Sequence, residues 1–245
     1  MNSAGSILAC IFDLDDTLYD CLGQRVPAAH LHAAEAMVAA GVAATVEQVL
    51  ASRIAAFRRD PRLGQIDAEV CREFGVRDPG KVMRAAYEAY FSAPVGPLTL
   101  FPETLRVLRT LQGRGVRNFV VTFGRPETQH QKVRALGLEE ECSIEEIRYV
   151  GLGGEAGTGT KKAVFGEILR QAGMPADRVL VVGDRPSGEI RAARELGMRT
   201  VRMRHGEFAA LEAECEGERA DFEIVEIGDL LRLPLQFGAR PFGES

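Results

Sequence analysis

The sequence predicts an α/β protein: a mostly parallel sheet with helices on both faces, interrupted by an inserted α-helical domain. Three observations carry this. The opening run ILACIF, residues 7–12, has the length and β-branched or aromatic content of a buried strand. After residue 96, short apolar runs alternate with stretches whose apolar residues recur every three or four positions. Between these regions, residues 20–95 show only the helical period and are rich in alanine. One sheet whose first strand precedes the insertion is the most economical arrangement. The expected core is therefore 1–19 with 96–245, and the expected helical domain is 20–95.

In chain order, the first strand ends on Asp13-Leu14-Asp15-Asp16-Thr17, crowding three acids at one strand end. Helical stretches follow in VPAAHLHAAEAMVAAG, TVEQVLASRIAAFRR and PGKVMRAAYEAYF. Thr45 with Gln48 forms a capping-box pattern, and Asp78 before Pro79 places an acceptor and then a proline where first-turn N–H groups lack partners. Beyond Pro94 and Pro97 the pattern predicts a helix over 102–112, a strand over 116–121, a helix over 126–136 and a short strand RYV ending at 150. A glycine-rich segment then leads to a helix over 161–171, a strand over 178–183, a helix over 188–196, and strands over 198–203 and 222–225. The acidic runs Glu139 to Glu141 and Glu145 to Glu146 read as solvated surface.

Composition narrows the function. The 245 residues are 46% hydrophobic and 27% charged with a formal net charge of -5, enough chain to bury a full core. Only four of the 30 basic residues are lysines, Lys81, Lys132, Lys161 and Lys162, and the scattered arginines form no stripe suited to duplex nucleic acid. Five widely spaced cysteines without a CxxC indicate neither a disulfide framework nor a zinc knuckle, and favour a reducing compartment. No apolar stretch approaches 18 residues, and no basic start precedes the first apolar run. The expectation is a cytoplasmic protein, monomer or homodimer, with no membrane or nucleic-acid partner.

Ligands of a parallel sheet bind beyond the carboxyl ends of its strands. Those positions hold Asp13 and Asp15 after the first strand, Thr122 after the second, Asp184 after RVLVVG and Glu189 a turn later; Lys161 and Lys162 open the helix after the glycine-rich segment. Asp13, Asp15, Asp184 and Glu189 cannot all ionise close together without a hard, oxygen-liganded cation, and Mg2+ meets that need while also taking a phosphate oxygen. A carboxylate beside such an ion can accept a phosphoryl group that water then removes. A second carboxylate would protonate the leaving alcohol and activate the water, while Thr122 and a lysine hold the equatorial oxygens. Two lysines at a helix N-terminus oppose the helix dipole unless an anion or carboxylate is there.

Other motifs are weaker. Gly154 and Gly159 have the outer spacing of a P-loop, but Thr160 intervenes before Lys161 and no Ser or Thr follows the lysine. Gly151-Leu152-Gly153 with Ala156 lacks the downstream acid of a dinucleotide fingerprint. Cys10 reads as a packed thiol, and His30 and His32 cannot share one helical face.

The stretches FDLDDTLYD at 12–20, FVVTFG at 119–124, TKKAVFGEIL at 160–169 and VLVVGDRPSGEIRAARELGM at 179–198 together resemble the haloacid dehalogenase (HAD) superfamily of hydrolases, in the family's order and over nearly the whole chain. The resemblance implies a Rossmann-like core, a helical cap between the first and second motifs and a short β-hairpin flap after DLDDT. It implies Asp13 as nucleophile, Asp15 as general acid and base, and Thr122 and Lys161 as phosphate anchors, with Lys162 in reserve. Mg2+ would be held by Asp13, Asp184 and the backbone carbonyl of Asp15. Phosphatases of the family use an acid at the Asp15 position and 2-haloacid dehalogenases generally do not. The expectation is thus a magnesium-dependent phosphatase hydrolysing a small phosphorylated metabolite through an aspartyl phosphate. The chain departs from the pattern after Asp184, where Arg185-Pro186-Ser187-Gly188-Glu189 leaves Glu189 as the remaining metal partner, direct or indirect. Arg185 either sits beside the phosphate or pairs with Glu189. Open alternatives are a binding or regulatory protein with a weakened metal site, a phosphoryl transferase or phosphosugar mutase, and a 2-haloacid dehalogenase. Tyr19, Arg25, Arg58 and Arg62 are candidates to face the leaving group.

Overall fold

The structure, a computed structural model, describes residues 5–60, 63–151 and 160–238. The chain divides into two compact units, Met1–Cys21 with Pro97–Ser245, and Leu22–Gly96. The first unit is built on a six-stranded sheet of β1 (Ala9–Phe12), β2 (Arg117–Gly124), β3 (Glu146–Gly151), β4 (Val179–Gly183), β5 (Arg199–Met203) and β6 (Phe222–Ile224). Its order is β3-β2-β1-β4-β5-β6, and every neighbouring pair is parallel. A parallel sheet is covered on both faces, which is why its central strands are continuous apolar runs. Every residue of β1 and β4 is buried. Ile11 is in register with Phe119 on one side and Val181 on the other. The chain works outward from β1 to β3 on one side and from β4 to β6 on the other, so its direction reverses beside β1. A ligand crevice opens at that reversal, beyond the carboxyl ends of the strands.

The helical unit follows a single turn, α1 (Cys21–Gln24), and consists of α2 (Val26–Ala39), α3 (Val46–Arg59), α4 (Leu63–Glu73) and α5 (Pro79–Ser92). The capping box at α3 is formed: Thr45 Oγ1 accepts from the Gln48 N–H at 3.3 Å, and Gln48 Oε1 accepts from the Thr45 N–H at 2.9 Å. Asp78 likewise accepts from the Lys81 N–H at 3.2 Å and starts α5. Ala29, Ala33 and Ala86 let the helices approach closely around Met37, Val49, Val70 and Val82. Fully buried Arg53 pairs with Asp67, the partnership a desolvated guanidinium requires. Arg25 is also buried; it donates to the Tyr90 carbonyl at 2.8 Å and stacks over that ring, so its charge is committed inside this unit. Arg58 is exposed, and Arg62 lies outside the described residues.

The remaining helices are α6 (Thr104–Gly113), α7 (Pro126–Ala135), α8 (Lys161–Ala172) and α9 (Arg191–Arg194). Several expectations change. The helix expected from 188 begins as a wide turn, Pro186–Ile190, with non-helical dihedrals at Gly188, and only Arg191–Arg194 is α-helical. The implied hairpin flap is reduced to single bridges, Asp15 with Tyr19 and Tyr19 with Leu100. Glu141 is not solvated: it is buried, accepting from Arg109 at 2.6 Å and from the Ser143 hydroxyl and N–H at 2.8 and 3.1 Å. The Arg109 hydrogen bond leads in holding its carboxyl down to about 2. Gly153, Gly154, Ala156 and Gly159 of the glycine-rich segment lie outside the described residues. Among the described residues, no helix is long and apolar enough to cross a membrane.

Candidate active site

β1 delivers the first acid. The Asp13 N–H donates to the Val182 carbonyl at 2.9 Å, carrying the ladder one residue past Phe12 and setting the carboxyl at the strand end. From the other side, Thr160 caps α8 by accepting from the Ala163 N–H at 3.2 Å, which makes Lys161 the first residue of the helix. Lys161 Nζ then lies 2.5 Å from Asp13 Oδ1 and 2.8 Å from Glu189 Oε2. Glu189 Oε1 accepts from the Arg185 N–H at 2.7 Å. Gly183 makes room for it, because a Cβ there would sit 2.2 Å from Glu189 Cγ.

Asp184 completes the cluster. Carboxylate oxygens of Asp13, Asp184 and Glu189 lie within 4.8 Å of one another, and all three residues are buried. One ammonium thus faces three carboxylates. Burial, then repulsion from Glu189 and Asp13, pushes Asp184 well above the carboxylate range. Burial also raises Asp13, to about 7, against the pull of Lys161. Burial would raise Glu189 too, but Lys161 outweighs it and keeps that carboxyl low. Burial alone would lower the Lys161 ammonium, yet Asp13 and Glu189 raise it. An all-oxygen donor set with uncompensated negative charge suits a hard divalent cation such as Mg2+.

Asp15 points into a different set of partners. Its Oδ1 accepts from the Tyr19 hydroxyl at 2.7 Å and Lys132 Nζ at 2.9 Å; its Oδ2 accepts from Lys132 Nζ at 2.7 Å and Gln129 Nε2 at 3.3 Å. Burial would raise this carboxyl, but the Lys132 charge and the hydrogen bonds from Lys132, Tyr19 and Gln129 hold it at about 2. Thr122 is in β2, two residues beyond Val120, which pairs with Phe12 of β1. Its hydroxyl is buried and has no hydrogen-bond partner among the described residues. Lys162 turns away to Glu195 at 2.8 Å on the surface. The Arg185 guanidinium stacks on Phe208, 4.8 Å from the ring centroid, and of its two expected places the pairing with Glu189 takes the form of a contact from its backbone N–H alone. A cleft of about 420 Å³ opens here, lined by Phe123, Thr160, Lys161, Arg185, Ser187 and Glu189 among others.

The structure therefore brings Asp13, Lys161, Asp184 and Glu189 into one cluster and sets the Asp15 carboxylate in its own cradle. Sequence reasoning missed Gln129 and Lys132, and placed Tyr19 toward the leaving group when its hydroxyl serves Asp15. The available signal was their spacing: Gln129 and Lys132 are three apart on α7 and so share a helix face. Asp16, Asp20 and His205 also converge, with ligand atoms within 4.8 Å, at a backbone where Asp16 adopts φ +54°.

Comparisons with known proteins find relatives of the chain in sequence and in fold. The haloacid dehalogenase-like hydrolase family model matches residues 7–197. A glyceraldehyde 3-phosphate phosphatase of Methanocaldococcus jannaschii is 28% identical over 232 residues, covering 92% of this chain and 96% of its own. A solved Haemophilus somnus structure, described as a predicted phosphoglycolate phosphatase, superposes with a TM-score of 0.67 at 19% identity, covering 93% of this chain and 97% of that one. A Bacillus subtilis protein described as a HAD hydrolase, solved bound to magnesium, gives 0.64 at 16% identity, with 94% and 99% covered.

Proposed function

The chain belongs to the haloacid dehalogenase-like hydrolases, and from that premise we propose that it is a magnesium-dependent phosphatase of a small phosphate monoester, working through a phosphoryl group carried on Asp13. The observation that carries this reading is the buried Asp13 carboxylate, 2.5 Å from Lys161 and two residues from a second, separately cradled acid, Asp15. A nucleophile and an acid–base in unlike environments is the division of labour that hydrolysis in two steps requires.

In the first step an Asp13 oxygen attacks phosphorus, the bond from phosphorus to the leaving oxygen breaks, and Asp15, loaded with a proton against the pull of Lys132, hands that proton to the leaving oxygen. In the second, Asp15 takes a proton from water, the water oxygen attacks phosphorus, and the phosphorus–Asp13 bond breaks to release inorganic phosphate. Lys161 and the Thr122 hydroxyl are suited to hold the nonbridging oxygens, where charge must be stabilised. Mg2+ held by Asp13, Asp184 and the Asp15 backbone carbonyl, with Glu189 beside them, would supply positive charge against the phosphoryl group. The helical unit Leu22–Gly96 would act as the cap that selects the leaving group. A phosphorylated three-carbon sugar such as glyceraldehyde 3-phosphate is the substrate we favour, on the near full-length match to the M. jannaschii phosphatase.

Phosphate release from a panel of sugar phosphates, phosphorylated acids and nucleotides, with and without magnesium, tests the reading. Triose phosphate should be turned over, and Asp13→Asn should lower the rate by about a thousandfold or more. No turnover by the wild type, or a variant equal to it, would sink the proposal.

A further inference from the structure

We propose that Lys132 is a positioning residue for this hydrolysis, acting through Asp15; the inference rests on the phosphatase reading above. Lysine is seldom buried without a partner, yet Lys132 is 5% exposed. Its ammonium reaches both Asp15 oxygens, at 2.9 and 2.7 Å. Gln129, one turn earlier on α7, adds a bond to Oδ2 at 3.3 Å while also donating to the Phe123 carbonyl at 2.6 Å, which ties the cradle to the end of β2. Buried Tyr19 supplies the remaining bond, to Oδ1 at 2.7 Å. Three donors from two segments therefore fix both oxygens, and a carboxylate so held has a single orientation.

That orientation leaves Asp15 usable. Its side chain remains 29% accessible, whereas that of Lys132 is 6% accessible, so of the two partners Asp15 is the one a substrate can reach. Lys132 is placed to aim Asp15 without itself meeting the substrate. Acid–base catalysis by an aimed side chain contributes roughly 10²–10⁴-fold, and a displacement of about 1 Å can forfeit about 10²-fold. Losing the clamp should thus remove part of what Asp15 contributes and leave binding of the phosphoryl group to Lys161 and Thr122 unchanged.

A double-mutant cycle separates positioning from a merely structural ion pair. Lys132→Met, Asp15→Asn and the combined variant are assayed with 4-nitrophenyl phosphate, whose leaving group needs no proton, so that breakdown of the phosphorylated Asp13 limits kcat and reports Asp15 acting as the base. Lys132→Met is expected to lower kcat about 10- to 100-fold with KM within about threefold, and Lys132→Arg to recover part of the loss. In the Asp15→Asn background the same lysine substitution should cost less than about twofold, because its target is already gone. Circular dichroism and thermal unfolding verify folding; should Lys132→Met not fold, Lys132→Gln, which keeps a donor in the cavity, replaces it and is read by the same outcomes. Wild-type kcat in the lysine variant, a change confined to KM, or an equal loss in both backgrounds overturns the proposal. A wild type without turnover overturns the phosphatase reading and this inference with it, whereas an active wild type matched by Lys132→Met overturns this inference alone.

Discussion

Thr122 holds a hydroxyl that is buried and unpartnered among the described residues, a condition that costs roughly 1–3 kcal/mol unless something pays for it. Valine has nearly the same shape and lacks that hydroxyl. Thr122→Val is therefore expected to stabilise the ligand-free protein by about 1 kcal/mol and, if the hydroxyl serves a phosphate oxygen, to raise KM for the ester about tenfold. Thermal unfolding without phosphate, together with steady-state kinetics, reads both effects. The opposite pairing, a less stable protein with unchanged KM, would show that the hydroxyl serves the fold. Lys161 differs from Thr122 in already being paired with Asp13 and Glu189, so removing it would leave buried carboxylates exposed to one another and confuse stability with binding.

At the scale of elements, α2 carries a titratable group inside the helical unit. His30 is fully buried, edge-on to Phe57 and Tyr90, with both ring nitrogens unpartnered among the described residues. Burial, then the Arg53 and Arg25 charges, lowers its pKa to about 4. The unfolded chain consequently takes up the proton first: this contribution to stability is whole above pH 6.5 and is lost as the pH falls toward about 4, on the order of 3 kcal/mol in all. Burial shifts Asp13 upward and works in the opposite sense over an overlapping range, so the effect must be read as a difference between wild type and His30→Phe. The unfolding temperatures of the two should diverge between pH 6.5 and 4, with the variant holding its stability; parallel curves would refute the account. The strands and the capped helix starts were legible in the sequence because they are local: burial on both faces writes VLVVG as an unbroken apolar run, and Thr45 meets Gln48 three residues on. The misread features depend on distant partners. Glu141 looks like surface until Arg109, 32 residues away, covers it, and Lys132 is one lysine among four until Asp15, 117 residues away, meets it. The wide turn at Pro186–Ile190 replaces the start of the helix expected over 188–196, and only the approach of Glu189 beneath Gly183 shows what that turn is for.

For the whole molecule, the net charge of -5 says little about metal binding, whereas the local imbalance of one ammonium against three buried carboxylates says a good deal. The fold holds Asp13, Asp184 and Glu189 together despite their repulsion, a cost that packing of the sheet must cover and that a divalent cation would relieve. A ligand bound only by the folded state adds stability by mass action, about 2.7 kcal/mol at a hundred times its Kd. For a chain of this size that corresponds to a rise of roughly 5–10 °C in unfolding temperature. Magnesium added to chelator-treated protein should produce such a rise, without any substrate. Asp184→Asn should behave in two ways at once: with metal absent it is expected to unfold at a higher temperature than the wild type, since the cost of burying an acid whose ionisation its neighbours oppose is gone, and with magnesium present it should lose most of the increment. Asp15→Asn should keep the increment, because its side chain lies in the Lys132 cradle and only its backbone carbonyl is assigned to the ion. Equal magnesium shifts in wild type and Asp184→Asn would place the cation elsewhere, and the absence of any shift in the wild type would remove magnesium from the site.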